Sequence, residues 1–282
     1  MIENIRLAFQ GIWSHMMRSF LTMLGIIIGI ASIIAIVSTI KGTSEQIKED
    51  LIGAGSNTVN IYLYDGDNQY DAEYGNSSKA PILTDDVKEE VKDLDHVENA
   101  TFYYNSTSAS IYNNNNSLEG GSVYGIDVNY LATCGYVIQS GRGFVKDDYK
   151  NYNKVALIDD NAAQNLFPSQ NPVGQTVEIN QEPYTIVGVI RQDENYQPTI
   201  NSIDEYYNYY QAIVGSVMIP DTCWPISFRF DVPQNVIVKA DSTDTMSTVG
   251  SSAADTLNAS ISSMSSSGSS STMKYKAEDV ME

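Results

Sequence analysis

The chain has 282 residues, with 35 Asp and Glu against 16 Lys and Arg, for a formal net charge of −19. That balance excludes a generic nucleic-acid binder, which needs a basic face for phosphates, and points to basic surfaces or cationic ligands as partners. The length allows one large or two small domains with real cores, and two cysteines, Cys134 and Cys223, are too few for a disulfide framework; they either pair or stay buried and reduced.

In chain order, Ile5, Phe9, Ile12, Trp13 and Met16 recur at helical spacing and predict an interfacial amphipathic helix over residues 1–19. Residues 20–41 follow as a membrane-spanning helix: the apolar run 21–40, at about 1.5 Å per residue, is as long as a bilayer core is thick. A secretory signal would be shorter and end in a small-residue cleavage site, so the run reads as a retained anchor. Arg6 and Arg18 before it balance Lys41 and Lys48 after it, so charge sets no orientation. Gly25 and Gly29 form a G-x-x-x-G, which lets a second helix approach closely in the membrane. Residues 42–55 continue outward as a helical stalk until Gly53 and Gly55 stop it.

Beyond the stalk the period changes. Residues 58–64 alternate as a strand; Thr84 then offers an N-cap, with Asp85 and Asp86 at the positive end of a short helix whose buried face carries Val87, Val91 and Leu94. A strand at 100–104 follows, and then a hairpin at 113–121. Far downstream the same unit recurs, as strand 235–240, a helix with Met246, Val249, Ala253, Leu257 and Ile261 inward, and strand 273–276. Two βαβ-like units thus bracket the chain's middle as a split α+β layer. Between them lie strands at 154–158, 174–179 and 184–190, a short helix at 161–167 and a long tyrosine-rich loop at 192–215. Residues 262–271 form a serine-rich connector.

Motifs of chemistry are few. The sequence has no phosphate loop, H-E-x-x-H or G-x-S-x-G, so it predicts no catalytic, metal-ligating or cofactor-binding residue. Residues 65–71 space their carboxylates like the start of a calcium loop, but Tyr70 stands where the sharp turn wants glycine, which makes an acidic surface turn. Tyr206, Tyr207, Tyr209 and Tyr210 fit either partner-contact anchors or an insertion packed on its own domain.

The run from Arg18 to Ile30 resembles the first membrane helix of MacB/FtsX-type ABC transporter permeases. Independently, Gly141-Arg-Gly-Phe144, Val155-Ala-Leu-Ile158, Leu166-Phe167, Pro172-Val-Gly174, Tyr184-Thr-Ile-Val-Gly-Val189 and Val217-Met-Ile-Pro220 occur in the order of that family's periplasmic core domain. The resemblance implies an α+β fold with a two-lobed extracytoplasmic domain: a porter-like lobe from residues 56–112 and 231–278, and an inserted β-rich lobe from 113–230. It implies a cytoplasmic N-terminus, a plasma (inner) membrane location, and a cytoplasmic ABC ATPase that holds the ATP and works through the stalk. A homodimer or permease heterodimer is expected, and a membrane-fusion-type adaptor is a further partner. Residues 279–282 read as the start of a second stalk helix, after which such permeases carry three more spans. The rival reading is a membrane-anchored binding or sensor domain with no ATPase partner. An enzyme ranks third, and would need a convergent pocket with perturbed carboxylates.

Overall fold

A computed structural model describes residues 17–18, 20–42, 57–70, 81–193, 214–264 and 273–278. The interfacial-helix residues Ile5, Phe9, Ile12, Trp13 and Met16, the stalk, the tyrosines Tyr206, Tyr207, Tyr209 and Tyr210 and most of the serine-rich stretch lie outside them.

Helix α1 (Phe20–Gly42, 23 residues) is long and apolar enough to cross a bilayer. Ile26, Ile30, Ile33, Ile34 and Ile40 are all more than half exposed. A helix apolar on every face needs an apolar solvent. Two of its four hydroxyls suit one, because Ser32 Oγ donates to the Ile28 carbonyl at 2.7 Å and Thr39 Oγ1 to that of Ala35 at 2.8 Å, so neither of these seeks water.

Residues from 57 onward form a separate compact unit built on one sheet. In chain order the opening elements are β1 (Thr58–Asp65), β2 (Asn68–Gln69), α2 (Asp85–Lys92) and β3 (Val97–Ser106). An inserted stretch supplies β4 (Ile111–Asn113), β5 (Asn116–Ser117), β6 (Ser122–Ile126), α3 (Tyr130–Thr133), β7 (Tyr136–Gly141), α4 (Lys146–Lys150), β8 (Val155–Asp159), α5 (Asp160–Leu166), β9 (Thr176–Ile179), β10 (Glu182–Gln192) and β11 (Ser216–Pro220). The chain then returns as β12 (Asn235–Ala240), the long helix Met246–Met264 and β13 (Met273–Ala277).

The strand order is β13-β1-β12-β3-β6-β11-β8-β10-β9-β4-β5, with β2 on β1 and β7 on β10. β12 runs antiparallel to both β1 and β3, with Val59 opposite Val238 and Val236 opposite Phe102, so β1 and β3 are parallel with a strand between them. β13 lies antiparallel on the other side of β1. Strands β1, β3, β12 and β13, with α2 and the long helix, are therefore a β-α-β-β-α-β layer of the split type, interrupted between β3 and β12.

Alternation decides which side chains the helices cover. Val59, Ile61 and Leu63 of β1, Ala100 and Phe102 of β3 and Val236 and Val238 of β12 point to one face. There they meet Met246, Val249, Ala253, Leu257 and Ile261 of the long helix, the set its spacing predicts. On the other face, Tyr103 and Ile237 join Ile126, Tyr130, Leu157 and Met218 in a smaller cluster. A third cluster, around Ile158, Leu166, Val177, Tyr184, Ile186 and Val217, is the core of the insertion. The sheet itself does not break between the halves: β3 is ten residues long, pairs with β12 along most of its length, and passes its last four residues to β6.

Two local expectations are corrected and a third is borne out. Thr84 occupies the N-cap position of α2 with extended backbone, but its hydroxyl makes no capping bond. The calcium-like spacing is the acidic turn expected there, a two-residue hairpin in which Asp65 pairs with Asn68 and Gly66 supplies the left-handed φ of +65° that the turn requires. The long helix runs on to Met264, into the stretch read as connector.

Candidate ligand cleft at the chain crossing

The motif residues of the insertion come together as scaffold. Arg142 at the end of β7 donates from Nη1 to Asp148 Oδ2 at 2.6 Å and from Nη2 to Oδ1 at 3.3 Å. Asp148 also accepts from the Val145 N–H and from Asn153 Nδ2. Burial opposes the charge on Asp148, but these bonds outweigh it and hold its pKa below the usual carboxylate range. Gly141 has φ +78°, and a Cβ there would overlap the Val187 carbonyl oxygen of β10. Asp159 caps α5 by accepting from the Ala162 N–H at 2.7 Å, and ties it to β11 by accepting from the Ser216 N–H at 2.8 Å; burial pushes its pKa up to about 6.

The membrane glycines Gly25 and Gly29 lie four residues apart on one face of α1, and a Cβ at either would meet nothing within 4 Å. Cys134 and Cys223 are both buried and both free; Cys223 Sγ donates to the Asn153 carbonyl. His96, left-handed at φ 67°, pairs through Nδ1 with Asp241 Oδ2 at 2.8 Å in an exposed setting, and that contact raises its pKa. Among the described residues no group of three or more His, Cys, Asp or Glu side chains could share a metal ion.

The concave surface lies where the chain leaves the split layer after β3 and returns to it before β12. Asn235 Nδ2 donates to Asn105 Oδ1 at 2.9 Å, stapling the outgoing and returning segments. Beside the staple are two adjoining hollows of about 320 and 470 Å³ that share Asn105, Ser106 and Val232. Trp224 and Phe228 wall the larger one, their rings stacked at 3.9 Å, and Tyr104 stacks on Trp224 at 5.2 Å. Polar groups line the rest: Gln69 and Thr107 in the smaller hollow, Ser108 and Asn180 in the larger. Among the described residues no carboxylate lines either hollow. The half-buried aspartates with raised pKa, Asp127, Asp159 and Asp221, lie elsewhere. Sequence reasoning did not find this cleft. The signal was the aromatic run Trp224-Pro-Ile-Ser-Phe-Arg-Phe230 just before a strand, and it becomes a site only when β3 is laid beside it.

A family model described as MacB-like periplasmic core domain matches residues 19–256. The ABC transporter permease YvrN of Bacillus subtilis (strain 168) is 35% identical over 260 residues, which is 92% of this chain and 61% of its own length. The macrolide export ATP-binding/permease protein MacB of Neisseria gonorrhoeae is 34% identical over 196 residues, 69% of this chain and 29% of its own. The chain thus spans about three fifths of one of these relatives and less than a third of the other. In fold it resembles the extracellular domain of the noncanonic ABC-type transporter YknZ from Gram-positive bacteria, with a TM-score of 0.56 at 18% identity over 79% of this chain and 100% of that one. It likewise resembles the periplasmic region of MacB from Actinobacillus actinomycetemcomitans, with a TM-score of 0.56 at 20% identity over 82% of this chain and 92% of that one.

Proposed function

Because the chain belongs to the family of MacB-like periplasmic core domains, we propose that it is the anchored, extracytoplasmic part of an ABC transporter permease subunit, moved by ATP hydrolysis on a cytoplasmic partner. The observation that carries this reading is the family match over residues 19–256, a range that opens on one helix, α1, with the length and composition of a membrane span. In this reading α1 lies in the plasma membrane with residues 1–19 on the cytoplasmic side. Gly25 and Gly29 are a packing surface for another membrane helix, and the split layer receives movement through the stalk and passes it to the insertion. The working unit is a dimer with the ATPase, and the adaptor is a third component. The output is export or efflux.

The test uses the protein reconstituted in a membrane with its ATPase and a pair of spin labels on the outer domain. ATP should change the label distance, and proline at Glu45, which removes a helix bond at a cost of about 3 kcal/mol, should abolish the change while leaving insertion and folding intact. No distance change in the unmutated complex would turn the reading toward the anchored binding module.

A further inference from the structure

The cleft at the chain crossing has a chemistry that the transporter reading does not use. The chain carries 35 acidic and 16 basic residues, yet among the described residues Arg229 is the single charged side chain lining the two hollows, and Asp231 holds its guanidinium at 3.2 and 3.5 Å. The described lining therefore favours neither a cation nor an anion. It offers amides instead. The staple uses one side of each asparagine, leaving the Asn105 NH2 and the Asn235 carbonyl without partners among the described residues; Gln69 beside them likewise has none. A donor and an acceptor side by side are the complement of an amide group. Next to them the stacked Phe228–Trp224 pair gives a flat apolar surface, and Ser106, Thr107 and Ser108 give hydroxyls along one rim. Two connected hollows of about 320 and 470 Å³ are within the size range of small-ligand sites.

We infer that the cleft binds a neutral, N-acetylated oligosaccharide, with the acetamido group on Asn105 and Asn235 and the apolar face of a sugar ring on Phe228. Flat rings bearing both hydroxyls and an amide use every group the cleft presents. A plain peptide would use the amides but not the hydroxyl rim. Because the staple joins the outgoing and returning segments, a ligand held there bridges the split layer and the insertion.

The experiment is calorimetric titration of the full chain in lipid nanodiscs with N,N′,N″-triacetylchitotriose, maltotriose and tri-alanine. Triacetylchitotriose should bind saturably and at least about tenfold more tightly than maltotriose, which lacks the amide, and than tri-alanine. Phe228→Ala should weaken it about tenfold. Phe228 packs on Trp224, so a second variant, Thr107→Trp, fills the smaller hollow from an exposed position and should weaken binding as much without moving the melting temperature. Absent saturation, equal binding of maltotriose, tighter binding of tri-alanine, or binding unchanged in folded Thr107→Trp would each overturn the inference. None of these outcomes depends on an ATPase, so failure here is distinct from failure of the transporter reading.

Discussion

In the long helix Met246–Met264, the residues that bury do so at spacings of three and four, and what they meet on β1, β3 and β12 is other apolar side chains. In the insertion a buried carboxylate on a guanidinium, a glycine against a carbonyl and an aspartate tying a helix to a strand hold pieces that are short and irregular. Repetition stabilises the split layer, so no single residue decides its fold. Single contacts decide much of the insertion, and it should fail at single points.

The largest contrast is expected between two glycines. Gly141→Ala in the insertion forces a left-handed residue to carry a Cβ that overlaps backbone, and should cost about 4 kcal/mol from strain and overlap together. Gly250→Ala in the long helix crowds Val59 Cγ1 at 2.9 Å and Ala277 Cβ at 3.1 Å, but alanine is favoured over glycine in a helix by about 1 kcal/mol, so the net cost should be less than about 1 kcal/mol. Thermal denaturation separates them: about 8–16 °C should be lost in the first and under about 4 °C in the second. Equal losses would break the contrast.

Next in size is Asp148→Ala. It removes the buried partner of Arg142 together with the acceptor for Val145 and Asn153, and should cost about 3 kcal/mol. Arg142→Ala should cost about as much, because it leaves Asp148 buried and charged. If the clasp is a unit, the double variant should cost clearly less than the sum of the two, and additive losses would show two independent contacts.

A smaller effect comes from pH. Burial raises Asp159 and Asp221 to about 6, so both disfavour the folded state when charged. Their favourable contribution is full below the ordinary carboxylate pKa and is lost as pH rises through about 6. Lowering the pH from 7 to 5 should therefore stabilise the insertion by about 1 kcal/mol per group. Asp148 has the opposite sign and weakens the fold only below the usual carboxylate range. In the split layer, His96 beside Asp241 adds in the same direction as Asp159, but from an exposed site. Asp221→Asn should remove about half of the gain in denaturation midpoints measured at the two pH values, and an undiminished gain would locate it elsewhere.

These contrasts follow what was legible in the sequence. The split layer could be read because its strands alternate with period two and its helices with period 3.6, and α1 because a bilayer needs one long apolar run. The insertion's strands were visible piece by piece, but their order was not. β6 beside β11 and β8 beside β10 are parallel pairs whose connections leave no local pattern. The cleft was illegible for a related reason: Asn105 and Asn235 are 130 residues apart, and nothing near either marks the other.

The smallest expected effect is the most informative about caps, because Thr84 and Asp159 look alike in sequence, each a short polar residue before a helix with an acid in its first turn. Both have extended backbone at the N-cap, yet only Asp159 accepts a backbone N–H. The difference lies in what surrounds the donors. Asp85 and Asp86 at the start of α2 are exposed, so water satisfies the first N–H groups and the Thr84 hydroxyl has nothing to replace. Ala162 in the first turn of α5 is fully buried, so its N–H has only Asp159. Thr84→Ala should therefore change stability by less than about 0.3 kcal/mol, whereas Asp159→Ala should cost about 1–2 kcal/mol at neutral pH. Asp159→Asn, which keeps an acceptor and loses the buried charge, should recover most of that loss. Chemical denaturation of the three variants checks this. A loss near 1 kcal/mol for Thr84→Ala would mean that its hydroxyl caps α2 in solution, and the contrast between a water-satisfied and a protein-satisfied helix end would fall.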